Sequence, residues 1–153
     1  MGTFARAGFQ PEWGIDKYFL TKAKKDKKKM QYLEKAQDQI DIFIKLSEKA
    51  ELEMIMDTVQ NIDKMADILD KSWKAWLKAD EKELQKLMLD DAEKQQEFFK
   101  KIFTDRNIKM ADKIDTYLKG EGVYFVMAGS GHFIGKGSVN SLLKDKGYKI
   151  EKK

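Results

Sequence analysis

The chain of 153 residues has the length of one ordinary domain, and its 42% hydrophobic residues are enough to form a core. It contains no cysteine, which excludes a disulfide and a thiolate metal site, so any metal would be held by His, Asp or Glu. The net charge of +4 is concentrated in two lysine-rich segments, 22–29 and 149–153, which excludes a basic nucleic-acid-binding domain. We therefore predict a single domain, 1–153, that does not bind nucleic acid.

The sequence shows neither a transmembrane segment nor an export signal. No apolar run reaches the roughly 18 residues that a membrane-spanning helix needs. The first eight residues lack the basic-then-apolar order of a signal peptide. We expect no transmembrane segment in this chain, and any export signal would lie upstream of it.

The first predicted helix is short and ends in lysines. Asp16 is placed to cap it, and Tyr18, Phe19 and Ala23 give it an apolar face. The lysine run 22–29 is interpreted as a solvated helix end. Contact with phosphate or anionic lipid is the alternative, but no aromatic residue interleaves the lysines to stack on bases.

A long amphipathic helical region is predicted to follow Ser47, which is a suitable N-cap. Its apolar residues step by three or four along one stripe: Leu52, Ile55, Met56, Val59, Ile62, Ala66, Leu69, Trp73, Trp76 and Leu77. We expect other helices to cover this stripe and to bury Trp73, Trp76, Phe98, Phe99 and Phe103. Its methionines favour core packing, with a partner groove as the alternative.

Further helices are predicted to begin at capping residues: Asp80, Asp90-Asp91, and Ser138 or Gly137. Three segments with strand character, 29–34, 122–128 and 147–152, lie between or after the helices. The middle segment is apolar from Val123 to Met127, as in a strand covered on both faces. The predicted fold class is therefore α+β, a helix-dominated domain with a small three-stranded sheet.

A glycine-rich loop follows the middle segment and contains the only histidine of the chain. Gly129, Gly131 and Gly135 surround His132 and leave the backbone without side-chain bulk. Loops at the C-terminal ends of buried strands are common ligand sites. The alternative is a tight strand-to-helix turn in which His132 makes a local hydrogen bond.

Several short motifs occur in order along residues 8–151. The C-terminal motifs are Arg106-Asn107, Met110-Ala111, Ile114, Ala128-Gly129-Ser130-Gly131-His132-Phe133, Gly135, Ser138-Val139, Leu142-Leu143 and Gly147-Tyr148. Upstream lie Gly14-Ile15-Asp16, Tyr18-Phe19, Leu33-Glu34, Gln39, Ala79-Asp80 and Leu84. Together they resemble the TraB/GumN family, which includes the TIKI-type metal-dependent proteases.

The resemblance covers one half of the family fold. Family members carry an earlier strand-rich half with its own GxxH motif, whereas this chain has one histidine. It resembles the second unit alone, which implies a missing N-terminal half, a natural half-size protein or one half of a homodimer.

The resemblance also implies roles for particular residues. His132 and Glu34 would be metal ligands, with Glu34 alternatively a general base, and Gly129 and Gly131 would form the cofactor-binding loop. Arg106 would stabilise developing negative charge, and Asn107 would orient it. The structural alternatives are that Arg106 and Asn107 bond to the glycine loop and that Glu34 caps the following helix.

Two ligands are fewer than the usual three of a catalytic metal site. We therefore expect binding of Mn²⁺, Co²⁺ or Zn²⁺ to be weak or absent in the isolated chain.

Two functions follow from these observations. The first is a metal-dependent peptidase or hydrolase of TraB/GumN type, acting on a peptide or protein substrate as a dimer or in a longer chain. The second is a non-catalytic helical protein-interaction module.

Overall fold

The computed structural model describes residues 8–90 and 92–152. Within these ranges lie eight α-helices: α1 (Ile15–Lys25), α2 (Ala36–Ile44), α3 (Glu48–Asn61), α4 (Met65–Leu77), α5 (Glu81–Met88), α6 (Gln96–Phe99), α7 (Asp105–Leu118) and α8 (Val139–Asp145). A π-helical turn, Lys100–Thr104, joins α6 to α7, and a 3₁₀ turn, Ser130–His132, forms part of the glycine loop. Asp91, predicted to open the last long helix with Asp90, lies outside the described residues, as do residues 1–7 and Lys153.

Three helices begin at the caps that the sequence predicts. The side chain of Ser47 accepts a hydrogen bond from the Ala50 N–H, and the Asp80 side chain accepts one from Glu83. Ser138 caps α8 in the same way. Each side-chain oxygen satisfies an amide that the first helical turn leaves unpaired. The predicted cap Asp16 is wrong, because α1 begins after Gly14 and Asp16 lies inside its first turn.

The predicted α+β fold is wrong, since the described residues contain no strand. No backbone–backbone hydrogen bond among them joins the segments 29–34, 122–128 and 147–152. Val126 and Ala128 pack against a helical core, but Val123 and Phe125 are 102% and 72% exposed. The middle segment therefore has one covered face rather than two. Its β-forming residues reflect packing on helices, because a sheet also needs a neighbouring backbone to pair with.

The helices surround two small cores. The first contains Met110, Ala111 and Ile114 of α7 together with Val139 and Leu143 of α8. Residues of all three predicted strand segments pack on this core: Leu33, Val126, Ala128, Tyr148 and Ile150. The second core contains Ala75, Leu84, Leu89 and Ile134, with Met88, Phe99 and Phe103 packed against it. The glycine loop connects the two, since Ile134 belongs to one core and Val139 to the other.

The apolar stripe of α3 and α4 is not covered within the described part of the chain. Its exposed residues are Leu52, Ile55, Met56, Val59, Ile62, Trp73, Trp76 and Leu77. Trp73 and Trp76 are each 43% exposed and stack on each other, with ring centroids 5.3 Å apart. Their predicted burial is therefore wrong, whereas Phe98, Phe99 and Phe103 are half-buried. A 3₁₀ turn at Ile62–Lys64 separates α3 from α4 and interrupts the continuous helix that the pattern predicted.

None of the helices among residues 8–90 and 92–152 combines the length and the apolar character needed to cross a bilayer.

Candidate functional site

A bidentate ion pair joins Arg106, on the first turn of α7, to Glu34, which precedes α2. The guanidinium Nε lies 2.7 Å from one carboxylate oxygen of Glu34, and Nη2 lies 2.8 Å from the other. Nη1 donates a third hydrogen bond to the carbonyl of Ile102, at 2.9 Å. Only 17% of the Arg106 side chain and 9% of the Glu34 side chain are exposed. The pair thus anchors the segment around Glu34 to the start of α7.

Asn107, the next residue of α7, binds the glycine loop at two points. Its amide nitrogen donates to the carbonyl of Gly137 at 2.9 Å, and its amide oxygen lies 2.6 Å from Nδ1 of His132. Since the amide nitrogen is already used as a donor to Gly137, the oxygen must accept. Nδ1 of His132 therefore carries the proton, and Nε2 keeps its lone pair.

His132 is a neutral, buried base. It is 6% exposed, and its ring lies 5.5 Å from the ring of Phe103. Burial is the main cause that lowers the pKa of His132 below its ordinary 6.5; the positive charge of Arg106 lowers it further, and Glu34 opposes both. The Arg106 hydrogen bonds hold the pKa of Glu34 below 4.5 despite its burial, so Glu34 is ionised. At neutral pH the site contains one ion pair and one uncharged imidazole.

The lowered pKa predicts that acid destabilises the fold through His132. The unfolded chain binds the histidine proton more tightly than the folded chain, so the free energy of unfolding should fall as pH drops below about 6.5. The loss of stability that is linked to Glu34 should begin only at lower pH, below 4.5, the ordinary pKa of a glutamate. Urea unfolding between about pH 7.5 and pH 5 measures the slope of the free energy of unfolding against pH. His132→Gln, which cannot titrate, should remove the slope above pH 5; equal slopes in both proteins would contradict the assignment.

The glycines of the loop allow close packing at one position in particular. A Cβ at Gly131 would lie 2.8 Å from Cε1 of Phe103, closer than van der Waals contact permits. A Cβ at Gly129 would meet the His132 ring at an ordinary 3.8 Å, and its φ of −58° suits any residue. Gly131 is therefore needed so that the loop can approach the helix.

We expect Gly131→Ala to lower the free energy of unfolding by about 1–3 kcal/mol, the usual cost of overpacking a filled site. Gly129→Ala is the matched control and should change it by less than about 1 kcal/mol. Chemical denaturation of both variants tests the difference. A larger effect at Gly129 than at Gly131 would show that the loop does not pack as described.

The structure brings together the predicted site residues on one side of α7. Glu34 reaches Arg106 directly, while His132 reaches Asn107, and the two helix residues are neighbours. The proposed structural alternative for Glu34 as cap of the next helix is not seen, because the N-cap of α2 is Lys35. Two contributors were not predicted, the Gly137 carbonyl and the Phe103 ring. Phe103 precedes Asn107 by four residues, so helical spacing alone would have placed it on the same face.

The metal-binding prediction does not fit these contacts. Both carboxylate oxygens of Glu34 face Arg106, a cation, and Nδ1 of His132 is bonded to Asn107. The described residues contain no group of three or more His, Cys, Asp or Glu that can hold a metal ion. The predicted pairing of Glu34 and His132 as metal ligands is thus corrected, within the described residues of one chain, to a polar cluster in which Glu34 binds Arg106 and His132 binds Asn107. Weak binding of Mn²⁺, Co²⁺ or Zn²⁺ at His132 stays a prediction of the sequence.

Comparison with known families gives one finding. A model of the TraB/PrgY/gumN family matches residues 1–152. Comparison with curated proteins and with solved structures gives no match.

Proposed function

We propose, from the premise that the chain belongs to the TraB/PrgY/gumN family, that it is one half of a hydrolase that acts on peptide or protein substrates. Arg106, Asn107 and His132 are the polar residues of its half-site, and a second copy of the chain completes the cleft. The observation that carries the proposal is the hydrogen bond between Asn107 and Nδ1 of His132. It fixes the tautomer in which Nε2 is basic, as a general base requires.

The proposed chemistry uses Nε2 of His132 as the base and Arg106 as the electrostatic partner. Nε2 takes a proton from water while the water oxygen attacks the peptide carbonyl, whose electron pair moves to its oxygen. The imidazolium then gives the proton to the amide nitrogen as the C–N bond breaks and the oxyanion re-forms the carbonyl, which releases a carboxylic acid and an amine. A guanidinium has five N–H donors, and three are used by Glu34 and Ile102. The other two are suited to the developing oxyanion.

A second copy is proposed because one chain supplies one imidazole and leaves the stripe of α3 and α4 exposed. Contiguous apolar surface of this kind marks an interaction site. In a two-fold dimer the stripe of one copy packs on the same stripe of the other copy, so each stripe is covered. Ile55 and Val59, which are 53% and 64% exposed and one helical turn apart, lie in this surface.

The test combines mass and activity. Light scattering of the full chain should give twice 17.8 kDa, and hydrolysis of a fluorescently labelled casein should disappear in His132→Ala while the mass is unchanged. Ile55→Glu/Val59→Glu should abolish both the dimer and casein hydrolysis. The control, Glu48→Lys/Glu51→Lys on the first turn of α3, should leave both unchanged. A monomer at high concentration, or full hydrolysis by His132→Ala, would contradict the proposal.

A second function is favoured by a specific observation. The two tryptophans of α4 are exposed and stacked, and tryptophan is enriched at the centres of protein interfaces. A non-catalytic helical interaction module would use this surface without hydrolysis. Dimerisation that Trp76→Ser prevents, in a protein that does not cleave casein, would support the module over the hydrolase.

A further inference from the structure

The first helix and the turn after it form a cationic segment. Residues 15–29 contain seven lysines and two aspartates, a net charge of +5, whereas the whole chain carries +4. All six lysines between positions 22 and 29 are exposed. Of these, Lys22 lies 3.3 Å from Asp26 in an exposed pair, which water and salt screen strongly. The rest of the protein therefore carries a net charge of −1, and the larger of the two lysine-rich segments lies here.

The same segment exposes apolar and aromatic side chains. No residue of α1 is buried. Trp13, in the 3₁₀ turn before α1, is 78% exposed, and Tyr18 is 63% exposed. Ile15 and Leu20 are 44% and 41% exposed. A helix that stabilises the core would bury such residues, so α1 contributes little to the core and presents its side chains to the surroundings.

Phe19 connects α1 to a second exposed apolar segment. Its ring lies 4.8 Å from the ring of Phe125, which is itself 72% exposed and follows the fully exposed Val123. The apolar surface of α1 thus continues onto residues 123–125. We call the surface formed by residues 13–29 and 123–125 the α1 surface.

We propose that the α1 surface binds the face of a bilayer that contains anionic lipids. Tryptophan and tyrosine favour the boundary between headgroups and acyl chains, because one end of each ring is polar. Exposed lysines beside them attract anionic headgroups, each contributing to affinity within a Debye length of the membrane. The arrangement matches that of helices that lie in the membrane interface, with apolar side chains inserted and lysines at headgroup level.

Charge decides between a bilayer and a second copy as the occupant. A two-fold dimer through the α1 surface would place one segment of net charge +5 against another, which like-charge repulsion disfavours. A bilayer with anionic lipids offers the opposite sign and an apolar interior. Nucleic acid also carries negative charge, but it has no apolar interior to receive Ile15, Leu20 and Val123.

The experiment measures binding of the full chain to large vesicles. Vesicles of phosphatidylcholine with about 30% phosphatidylglycerol should bind the protein, and vesicles of phosphatidylcholine alone should not. Raising the salt to about 1 M should release most of it, because the screening length falls to about 3 Å. In a Trp73→Phe/Trp76→Phe background, Trp13 is the only tryptophan. Its emission should shift to the blue on binding, and brominated lipids should quench it.

Matched lysine variants test the role of charge. Lys24→Gln/Lys25→Gln/Lys28→Gln should weaken binding about 100-fold, at roughly fivefold for each lysine. Lys82→Gln/Lys86→Gln/Lys144→Gln removes three exposed lysines elsewhere and should weaken it less than about threefold. Circular dichroism confirms that each variant is folded.

The proposal is overturned if anionic vesicles do not bind, or if both triple variants bind equally. It is also overturned if Trp13 emission is unchanged on bound vesicles. Tighter binding of a short DNA duplex than of the anionic vesicles at the same salt would assign the surface to nucleic acid instead.

Discussion

Replacing Arg106 by methionine is expected to lower the free energy of unfolding by about 3–5 kcal/mol, because it leaves the Glu34 carboxylate buried without its cation. The two side chains are 17% and 9% exposed, so water replaces the lost bonds poorly. The variant also frees the Ile102 carbonyl that Nη1 of Arg106 satisfies. Urea denaturation at pH 7, where Glu34 is ionised, measures the change.

A double-mutant cycle separates the ion pair from the rest of the Arg106 side chain. Glu34→Gln should cost less than Arg106→Met, since the amide that replaces the carboxylate is neutral and can still accept one hydrogen bond. The double variant should be more stable than Arg106→Met, because no unpaired carboxylate is left. Strict additivity of the two single changes would mean that the pair is not coupled in solution.

Asn107→Ala is expected to lower the free energy of unfolding by about 2–3 kcal/mol, because a buried imidazole and a half-buried carbonyl lose their partner. The Asn107 amide makes hydrogen bonds to Gly137 and to His132, and 4% of the residue is exposed. The substitution leaves a buried imidazole N–H without a partner and a half-buried carbonyl with less compensation. Thermal or chemical unfolding gives the value directly.

Asn140 provides a control in the same region. It also donates one hydrogen bond to a carbonyl of the loop, that of Phe133, at 3.0 Å. Because it makes one bond and is half-buried, Asn140→Ala should cost about 1 kcal/mol. An Asn107 variant no less stable than the Asn140 variant would show that Asn107 is not the main link between α7 and the loop.

The site was more predictable from sequence than the fold. Glu34, Arg106, Asn107 and His132 were singled out from short motifs, and the structure places them in contact as two pairs, Arg106 with Glu34 and Asn107 with His132. Ser47, Asp80 and Ser138 were predictable as caps because the capping bond is local. The strand prediction was wrong because strand pairing, unlike capping, is not local. Val123 to Met127 fit a sheet, but pairing depends on a distant backbone, and no local pattern shows whether that backbone is present.

The stripe from Leu52 to Leu77 shows a second limit of sequence reasoning. Helical spacing correctly placed most of these residues on helices, but it predicted one continuous helix where the structure has a 3₁₀ turn at Ile62–Lys64. Periodicity shows that a face is apolar and does not show what covers it. The predicted burial of Trp73 and Trp76 assumed that neighbouring helices would cover them. In the structure both side chains are 43% exposed.

The π-helical turn at Lys100–Thr104 changes the phase of a helix that runs from Gln96 to Leu118. A π turn has i→i+5 bonding in place of i→i+4, so it advances the chain by one extra residue within a turn. Phe99 on its N-terminal side faces one core, while Met110 on its C-terminal side faces the other. The extra residue of the π turn therefore shifts the register between the residues that face the two cores. Deleting one residue of this turn would leave the residue count of an ordinary α-helical turn, whereas deleting one residue within α7 would rotate the rest of that helix by about 100°, the angle between successive residues.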